Sequence, residues 1–310
     1  MIIEIDNLVK RYGDFLALNH FDLKVKEGEV LGLLGPNGSG KSTAINCMLS
    51  LLTFDKGTIQ LFGEKMTPTN YEAKQKIGVV PQDIAVFEEL TVYDNIDYFC
   101  GLYVSDKGKR LELIEEVISL VGLEEFRKFY PKQLSGGLKR RLNIACGIAH
   151  KPQLIFLDEP TVAVDPQSRN KILDSIKELN RQGATIVYTT HYMEEVELLC
   201  DQIVIMDQGQ VVAKGTKEQL KDMVRSTENL VIDIPLLPDT AIEDIQRLPH
   251  VVDVSYGEER LTITTKKMKE VLLPVLSYLE DEHIAFTKIH TGEATLNDVF
   301  LEITGKELRD

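Results

Sequence analysis

The sequence predicts an α/β fold in two parts. Residues 1–224 read as a phosphate-loop domain, with a mixed β-sheet and an inserted helical block. Residues 225–310 read as a small α+β, ferredoxin-like domain. Three observations predict this. Short apolar runs alternate with stretches of helical period through the first part. A glycine-rich loop, "GPNGSGKST" at 35–43, separates one apolar run from the helix that follows. The remainder runs strand, helix, strand, strand, helix, strand, the order of a split βαβ unit.

Taken in order, "MIIEIDNLV" alternates and "FDLKVKEGEVLGLLG" ends in a continuous apolar run, so both read as strands. "KSTAINCMLSLL" reads as a helix, and "GTIQLFG" and "QKIGVVPQ" as short strands. "TVYDNIDYFCGLY", "KGKRLELIEEVISLVGL" and the stretch opened by "LSGG" at 134–137 make up the helical block. "QLIFLDEP" is a buried strand ending in acids, and "DPQSRNKILDSIKELNRQG" a helix stopped by Gly183. "ATIVYTTH", "DQIVIMDQGQ" and "QVVAKG" are strands, and "TKEQLKDMV" a helix with Thr216 as its N-cap. A boundary follows at "RSTENL". Beyond it, "NLVIDI", "VVDVSY", "RLTITT" (after a turn at Gly257) and "IAFTKIH" read as strands. "DTAIEDIQRL", "KEVLLPVLSYLEDE" and "TLNDVFLEITG" read as helices, the second kinked or opened by Pro274.

The composition narrows the class of function. At 310 residues, 43% hydrophobic and 27% charged, the chain can bury an ordinary core. A net charge of −14 argues against a nucleic-acid partner, which selects for a basic face. Cys47, Cys100, Cys146 and Cys200 are far apart and form no CxxC pair, so neither disulfides nor zinc are expected. That pattern fits a reducing cytosol. The N-terminus lacks the apolar core of a signal peptide, and no apolar run approaches the roughly 20 residues needed to cross a bilayer. A membrane role then has to come through a partner.

The chemistry centres on the loop. Gly35, Pro36, Asn37, Gly38, Ser39, Gly40, Lys41 and Ser42 match the G-x-x-x-x-G-K-[ST] pattern in full. Its glycines let backbone N–H groups approach phosphate oxygens, and the helix behind offers the positive end of its dipole. Lys41 can reach the outer phosphates, Ser42 can give a hydroxyl to Mg²⁺, and Thr43 can donate to a phosphate. Asp158 ends an apolar strand, placed to hold Mg²⁺. Glu159 follows and points elsewhere, in position to polarise an attacking water. His191 and Gln82 also follow strands, where α/β sheets gather ligand contacts. His191 can bond a phosphate or the water, and Gln82 can ligate the metal or the water. Tyr12 is an aromatic before a glycine, useful only if the fold brings it back. "LSGG" is a second anion cradle, and Lys139, Arg140 and Arg141 after it read as a solvated or dimer-facing helix surface.

With these residues in their order, the chain resembles the ATP-binding subunits of ABC transporters. The likeness covers residues 1 to about 224 and rests on Tyr12, "GPNGSGKST", Gln82, "LSGGLKRR", "LIFLDEP", "VAVD" and His191. It implies an ATPase that uses ATP and Mg²⁺. Tyr12 stacks on adenine, Gln82 senses the γ-phosphate and the membrane partner, and His191 is the switch histidine. Ser135, Gly136 and Gly137 bind the γ-phosphate of ATP held by a second subunit, and Asp165 closes the loop that touches it. The likeness implies a homodimer or heterodimer with a second ATPase subunit, working with integral membrane permease subunits. "FEELTVYDNIDYF" at 87–99 resembles the surface that receives a permease's coupling helix. Two positions depart from the family pattern: Leu138 stands where Gln is common and Ala163 where Gly is common.

The tail "ATLNDVFLEITGKEL" and the stretch "EPTVAVDPQSRNKIL" resemble ATPase subunits of type-2 exporters in the drug- and antibiotic-resistance group. They imply export of a drug, antibiotic or lipid-like compound by a cytoplasmic subunit, peripheral on the inner face of the cell membrane. The alternatives are a non-transport ABC ATPase and a regulatory ATP-binding module. One phosphate loop disfavours the two-domain translation type, and roughly 90 residues between the two loops leave no room for a repair-type coiled coil. A GTPase lacks support because no N-K-x-D run is present.

Overall fold

The computed structural model describes residues 1–224, 228–292 and 295–305. The chain divides into two compact units, Met1–Lys217 and Glu218–Gly305. The stretch at 225–227, where the sequence places the domain boundary, lies outside the described residues, as do 293–294 and 306–310 of the closing segment.

The first unit holds two sheets. β1 (Ile3–Tyr12), β2 (Phe15–Val25), β4 (Lys56–Leu61) and β5 (Glu64–Lys65) form an antiparallel sheet in the order β2-β1-β4-β5. β3 (Val30–Leu34), β6 (Ile77–Val80), β7 (Leu154–Asp158), β8 (Thr185–Thr189), β9 (Gln202–Asp207) and β10 (Gln210–Gly215) form the second sheet. Its order is β10-β9-β3-β8-β7-β6, parallel except at the β10 edge. The sequence merges β2 and β3 into one strand, and the structure separates them. A turn at Lys26–Glu29, with Gly28 at φ 75°, sends the chain from one sheet to the other. Burial reports the change: β2 alternates in its second half, whereas every residue of β3 is buried.

The helices cover both faces of the parallel sheet. α1 (Lys41–Met48) and the antiparallel sheet pack on one face, meeting Leu31, Leu33, Phe156, Val187, Val204 and Met206. On the other face lie α3 (Val92–Gly101), α4 (Lys107–Val121), α5 (Gly136–Ile148) and α6 (Pro166–Arg181), against Ile155, Leu157, Ile186 and Tyr188. Adjacent residues of β7 thus serve opposite cores, as strand pleating requires. Local chemistry sets the helix starts: Thr91, Asp106, Ser135 and Asp165 each accept a backbone N–H of the first turn. Such a cap contributes about 1 kcal/mol. Two short helices escape the sequence reading, α2 (Tyr71–Gln75) and α7 (Met193–Leu199), being five and seven residues long. α8 (Lys217–Val224) begins at the division between the units.

The second unit contains β11 (Glu228–Asp233), α9 (Asp239–Gln246), β12 (Val251–Gly257), β13 (Arg260–Thr265), α10 (Met268–Asp281), β14 (Lys288–Gly292) and α11 (Leu296–Thr304). The sheet is antiparallel throughout, ordered β12-β13-β11-β14, which is the ferredoxin-like arrangement. Leu230, Ile232, Leu261 and Ile263 pack on Ala241, Ile245, Val271, Val275 and Leu279. Pro274 lies inside α10 on its exposed face, where water can take the carbonyl its missing N–H leaves free. The β12–β13 turn is not made by Gly257. Glu258 and Glu259 form it, at φ 52° and 61°, between the paired Gly257 and Arg260.

Two-residue hairpin turns with both central residues at positive φ favour Asn-Gly. Replacing Glu258→Asn and Glu259→Gly together is expected to stabilise the hairpin by about 1 kcal/mol. Thermal unfolding of the full chain checks it.

Candidate active site

Parallel pairing puts the carboxyl ends of β3, β8, β7 and β6 along one edge of the sheet. The phosphate loop follows β3, and α1 starts at Lys41 behind it. Gly40 is the helix N-cap at φ 103°, and a Cβ there would sit 2.6 Å from the Ala17 carbonyl. At Gly35 a Cβ would meet the Met206 carbonyl at 2.4 Å. Both glycines are therefore required by the fold itself as well as by any ligand. Ser39 is 2% exposed, and its Oγ has no hydrogen-bond partner among the described residues. A buried hydroxyl left open in a glycine-rich loop at the start of a helix suits an anion. Lys41 is 8% exposed and its Nζ donates to the carbonyls of Gly35 at 2.7 Å and Pro36 at 3.2 Å. Burial pushes its ammonium below the ordinary lysine range, opposed by Glu159 and Asp158.

The acidic pair ends β7. Asp158 lies beside Thr189 in the β7–β8 ladder. One carboxylate oxygen, Oδ1, accepts from the Thr189 hydroxyl at 2.6 Å, and the other, Oδ2, from Ser42 Oγ at 3.3 Å. Ser42 and Asp158 thus form a hard-oxygen pair of the kind Mg²⁺ takes beside phosphate oxygens and water. Among the described residues no cluster of three His, Cys, Asp or Glu side chains is placed to hold a metal by itself. Glu159 leaves the strand at φ 47°, a left-handed conformation that side chains rarely adopt. That turn carries its carboxylate away from Asp158 and between two other strand ends. Oε2 accepts from Gln82 Nε2 at 3.1 Å, and Oε1 lies 3.7 Å from His191 Nδ1.

An open cleft runs along this edge, lined by Tyr12, Phe15, Ala17, Gln82, Glu159 and the loop from Asn37 to Thr43. Tyr12 is 47% exposed, with Lys10 Nζ 5.0 Å from its ring centre. Phe15 faces it across the β1–β2 turn and is still more exposed. The sequence reading overlooks Phe15, which the β1–β2 turn brings opposite Tyr12.

The sequence profile of the ABC transporter family matches residues 18–162. Along its whole length the chain is 39% identical to the linearmycin resistance ATP-binding protein LnrL of Bacillus subtilis, covering 100% of both. The chain belongs to the ATP-binding subunits of ABC transporters. It is also 33% identical to the daunorubicin resistance ATP-binding protein DrrA3 of Streptomyces coeruleorubidus, over 99% of this chain and 97% of that one. A solved structure of the ATP-binding cassette MJ0796, a post-hydrolysis dimer bound to ADP and Pi, superimposes with a TM-score of 0.63 at 29% identity. It covers 69% of this chain and 98% of that one. As an ABC ATPase the protein binds ATP and hydrolyses it.

The other residues singled out in the ABC pattern gather elsewhere. None of Ser135, Gly136, Gly137 and Asp165 lines the cleft. Ser135 caps α5, its Oγ accepting from the Leu138 N–H at 3.3 Å. Gly136 faces open space, but a Cβ on Gly137 would lie 2.2 Å from Ser168 Oγ and 2.6 Å from Asp165 Oδ2. The starts of α5 and α6 therefore touch at a glycine. Asp165 caps α6 at 2.9 Å, and hydrogen bonds from the Ser168 backbone and hydroxyl hold its carboxyl below the usual range. Ala163, two residues before, sits at φ 57°, a conformation a glycine takes at less cost. Leu138 packs against the helical core.

Of the cations after the glycines, Arg140 and Arg141 turn inward rather than standing on a solvated helix surface, and Lys139 stays partly exposed. Arg140 is 6% exposed and donates to the Pro81 carbonyl at 3.2 Å. Arg141 donates to the Val121 and Gly122 carbonyls at the end of α4, both at 3.0 Å. Lys139 pairs with Glu88 at 3.2 Å. Arg141 thereby supplies donors that the carbonyls at the end of α4 lack, and Arg140 ties α5 to the segment after β6. Glu195 was also missed, since on α7 it reads as one more helical acid. Its carboxylate is buried and accepts from Tyr188 at 2.6 Å, Thr161 at 2.9 Å, Thr190 at 2.9 Å and Arg169 Nε at 2.6 Å. It joins the segment carrying His191 to the loop after Glu159 and to α6.

Glu195→Ala is expected to cost about 3 kcal/mol, because Arg169 and three hydroxyls lose their acceptor. Glu195→Gln, which keeps an acceptor, is expected to cost about half as much. Gly137→Ala should cost about 2 kcal/mol through overpacking, while Gly136→Ala stays within about 0.5 kcal/mol of the parent. Denaturant unfolding separates all four.

Proposed function

We propose that this ATPase closes as a dimer around two MgATP and drives a separate membrane permease that exports an antibiotic, drug or lipid-like compound. The observation that carries the hydrolytic part is the Glu159 carboxylate, held between Gln82 and His191 at the rim of the phosphate-loop cleft. In this reading the N–H groups of Gly38, Ser39, Gly40, Lys41, Ser42 and Thr43 cradle the phosphates. Gly35, Pro36 and Asn37 shape the turn before them. Lys41 exchanges its loop carbonyls for outer phosphate oxygens, and Tyr12 stacks on the base. Ser42 and Asp158, with Gln82 from the same cleft, would hold Mg²⁺, which when bound would neutralise charge on the phosphates. Glu159 takes the proton of the attacking water, and His191 orients the γ-phosphate or that water.

Ser135, Gly136, Gly137 and Asp165 act in trans, on the nucleotide of the second ATPase subunit. Their support is geometric: a capped helix start with an unobstructed Gly136, away from the cleft of its own chain. The second subunit is a copy of this chain or a related ATPase. For the permease contact, the buried Asn95 is the supporting residue. Its amide joins the Phe87 N–H and the carbonyls of Phe87, Leu90 and Thr91, leaving Phe87 and Tyr98 exposed and edge-to-face at 5.0 Å. Among the described residues no helix is long and apolar enough to cross a membrane. We place the subunit on the cytoplasmic side of the cell membrane, held there by its permease. Export is supported by the names of the relatives, which confer resistance to linearmycin and daunorubicin.

Glu159→Gln is expected to retain ATP binding, lose about 10²- to 10⁴-fold in turnover and accumulate as a nucleotide-bound dimer. Steady-state ATPase assays with light scattering read this out, and full turnover in the variant would remove Glu159 from the base role. Mixing Ser135→Arg with Lys41→Ala protein tests the trans arrangement. Partial recovery of activity in the mixture is expected, because one of its two composite sites is then intact.

A further inference from the structure

We propose that Thr189 is a positioning residue for hydrolysis: its one buried hydroxyl fixes both acidic residues at the end of β7. The proposal rests on the roles given above to Asp158 and Glu159. Thr189 is fully buried and does not line the cleft, so it acts only through its neighbours. The β7–β8 ladder sets Thr189 directly beside Asp158. A hydroxyl has one proton to give and lone pairs to receive. Here the Asp158 Oδ1 at 2.6 Å takes the proton ahead of the Leu157 carbonyl at 3.5 Å, and the oxygen receives the Glu159 N–H at 3.0 Å. One bond given and one received together orient the hydroxyl, on a β-branched side chain whose χ1 is already restricted.

Each half of this arrangement has a consequence. With Oδ1 engaged, Asp158 presents Oδ2 toward Ser42 at 3.3 Å, so the hard-oxygen pair keeps one orientation. The Glu159 N–H is shared between the Thr189 hydroxyl and the Thr189 carbonyl at 3.2 Å. Those two acceptors hold Glu159 in its left-handed turn at φ 47°, and that turn aims the carboxylate at Gln82 and His191. The next residue, Thr190, bonds Glu195 instead and also receives the Tyr192 N–H. Thr189 therefore serves the acids, while its neighbour anchors the His191 segment.

Valine matches threonine in shape but offers neither bond, whereas serine offers both. The test compares Thr189→Val and Thr189→Ser in the full chain. It measures ATPase turnover, binding of a fluorescent ATP analogue with and without Mg²⁺, and thermal melting. Thr189→Val is expected to lower kcat about 10- to 100-fold with KM changed less than about threefold. Its metal-free nucleotide binding should match the parent, while the Mg²⁺ concentration at half-maximal effect rises several-fold. Thr189→Ser should restore turnover to within about threefold. Should the valine protein not fold, Thr189→Ala carries the same expectation. Valine turnover within about twofold of the parent, or serine as slow as valine, overturns the proposal. Glu159→Gln and Asp158→Asn run alongside. If they are inactive while Thr189→Val is active, only the Thr189 proposal fails; if they turn over normally, the acid-pair reading fails and takes the proposal with it.

Discussion

The parallel pairing of β3, β8, β7 and β6 is the constraint on which the hydrolytic edge depends. Parallel strands end on the same side, so residues from the loop at 35–43, Gln82, Asp158 and His191 arrive together although up to about 150 positions separate them. Both faces of that sheet are covered, and β3, β7 and β8 are nearly continuous apolar runs. The polar groups at their ends are thus the first chemistry met on leaving a dry core. The Ser42–Asp158–Thr189 chain of contacts runs from the buried Thr189 hydroxyl out to the open cleft, so it is firmest at its buried base.

Backbone strain is also present at this edge. Glu159 and Ala163 both hold left-handed backbone in the loop at 159–165 between β7 and α6. Neither is glycine, so each conformation costs free energy that the surroundings must offset. For Glu159 the surroundings are visible: the Thr189 carbonyl and hydroxyl hold its N–H. Thr161, between the two, is anchored to Glu195. Groups from β8 and α7, which also flank His191, fix the start and middle of the loop, and Asp165 closes it by capping α6. Carboxylate and histidine therefore share one support.

The helix starts have two uses of a single geometry. Ser135 and Asp165 satisfy backbone N–H groups of their own helices, and Gly137 lets those starts touch. The same features leave the beginning of α5 presented outward at Gly136, away from the phosphate loop of its own chain. A surface of that kind is useful to a nucleotide only when another subunit supplies the rest of the site. The fold of one chain and the proposed chemistry of two are consistent at this point.

The sequence by itself determined whatever depends on neighbours along the chain. The glycine pattern at 35–43, the acids closing "LIFLDEP" and the βαββαβ order of the second unit are local, and each reads directly. Tertiary structure decided what depends on register and packing. It split one apparent strand into β2 and β3, because the two halves belong to different sheets. It turned Arg140 and Arg141 inward, because carbonyls at Pro81, Val121 and Gly122 needed donors that sequence cannot locate. It also gave Thr189 and Glu195 their partners across strands and helices, where both residues look ordinary in the linear chain. Local conformation is written in residue type and spacing, whereas hydrogen-bond satisfaction is settled only when distant elements close on one another.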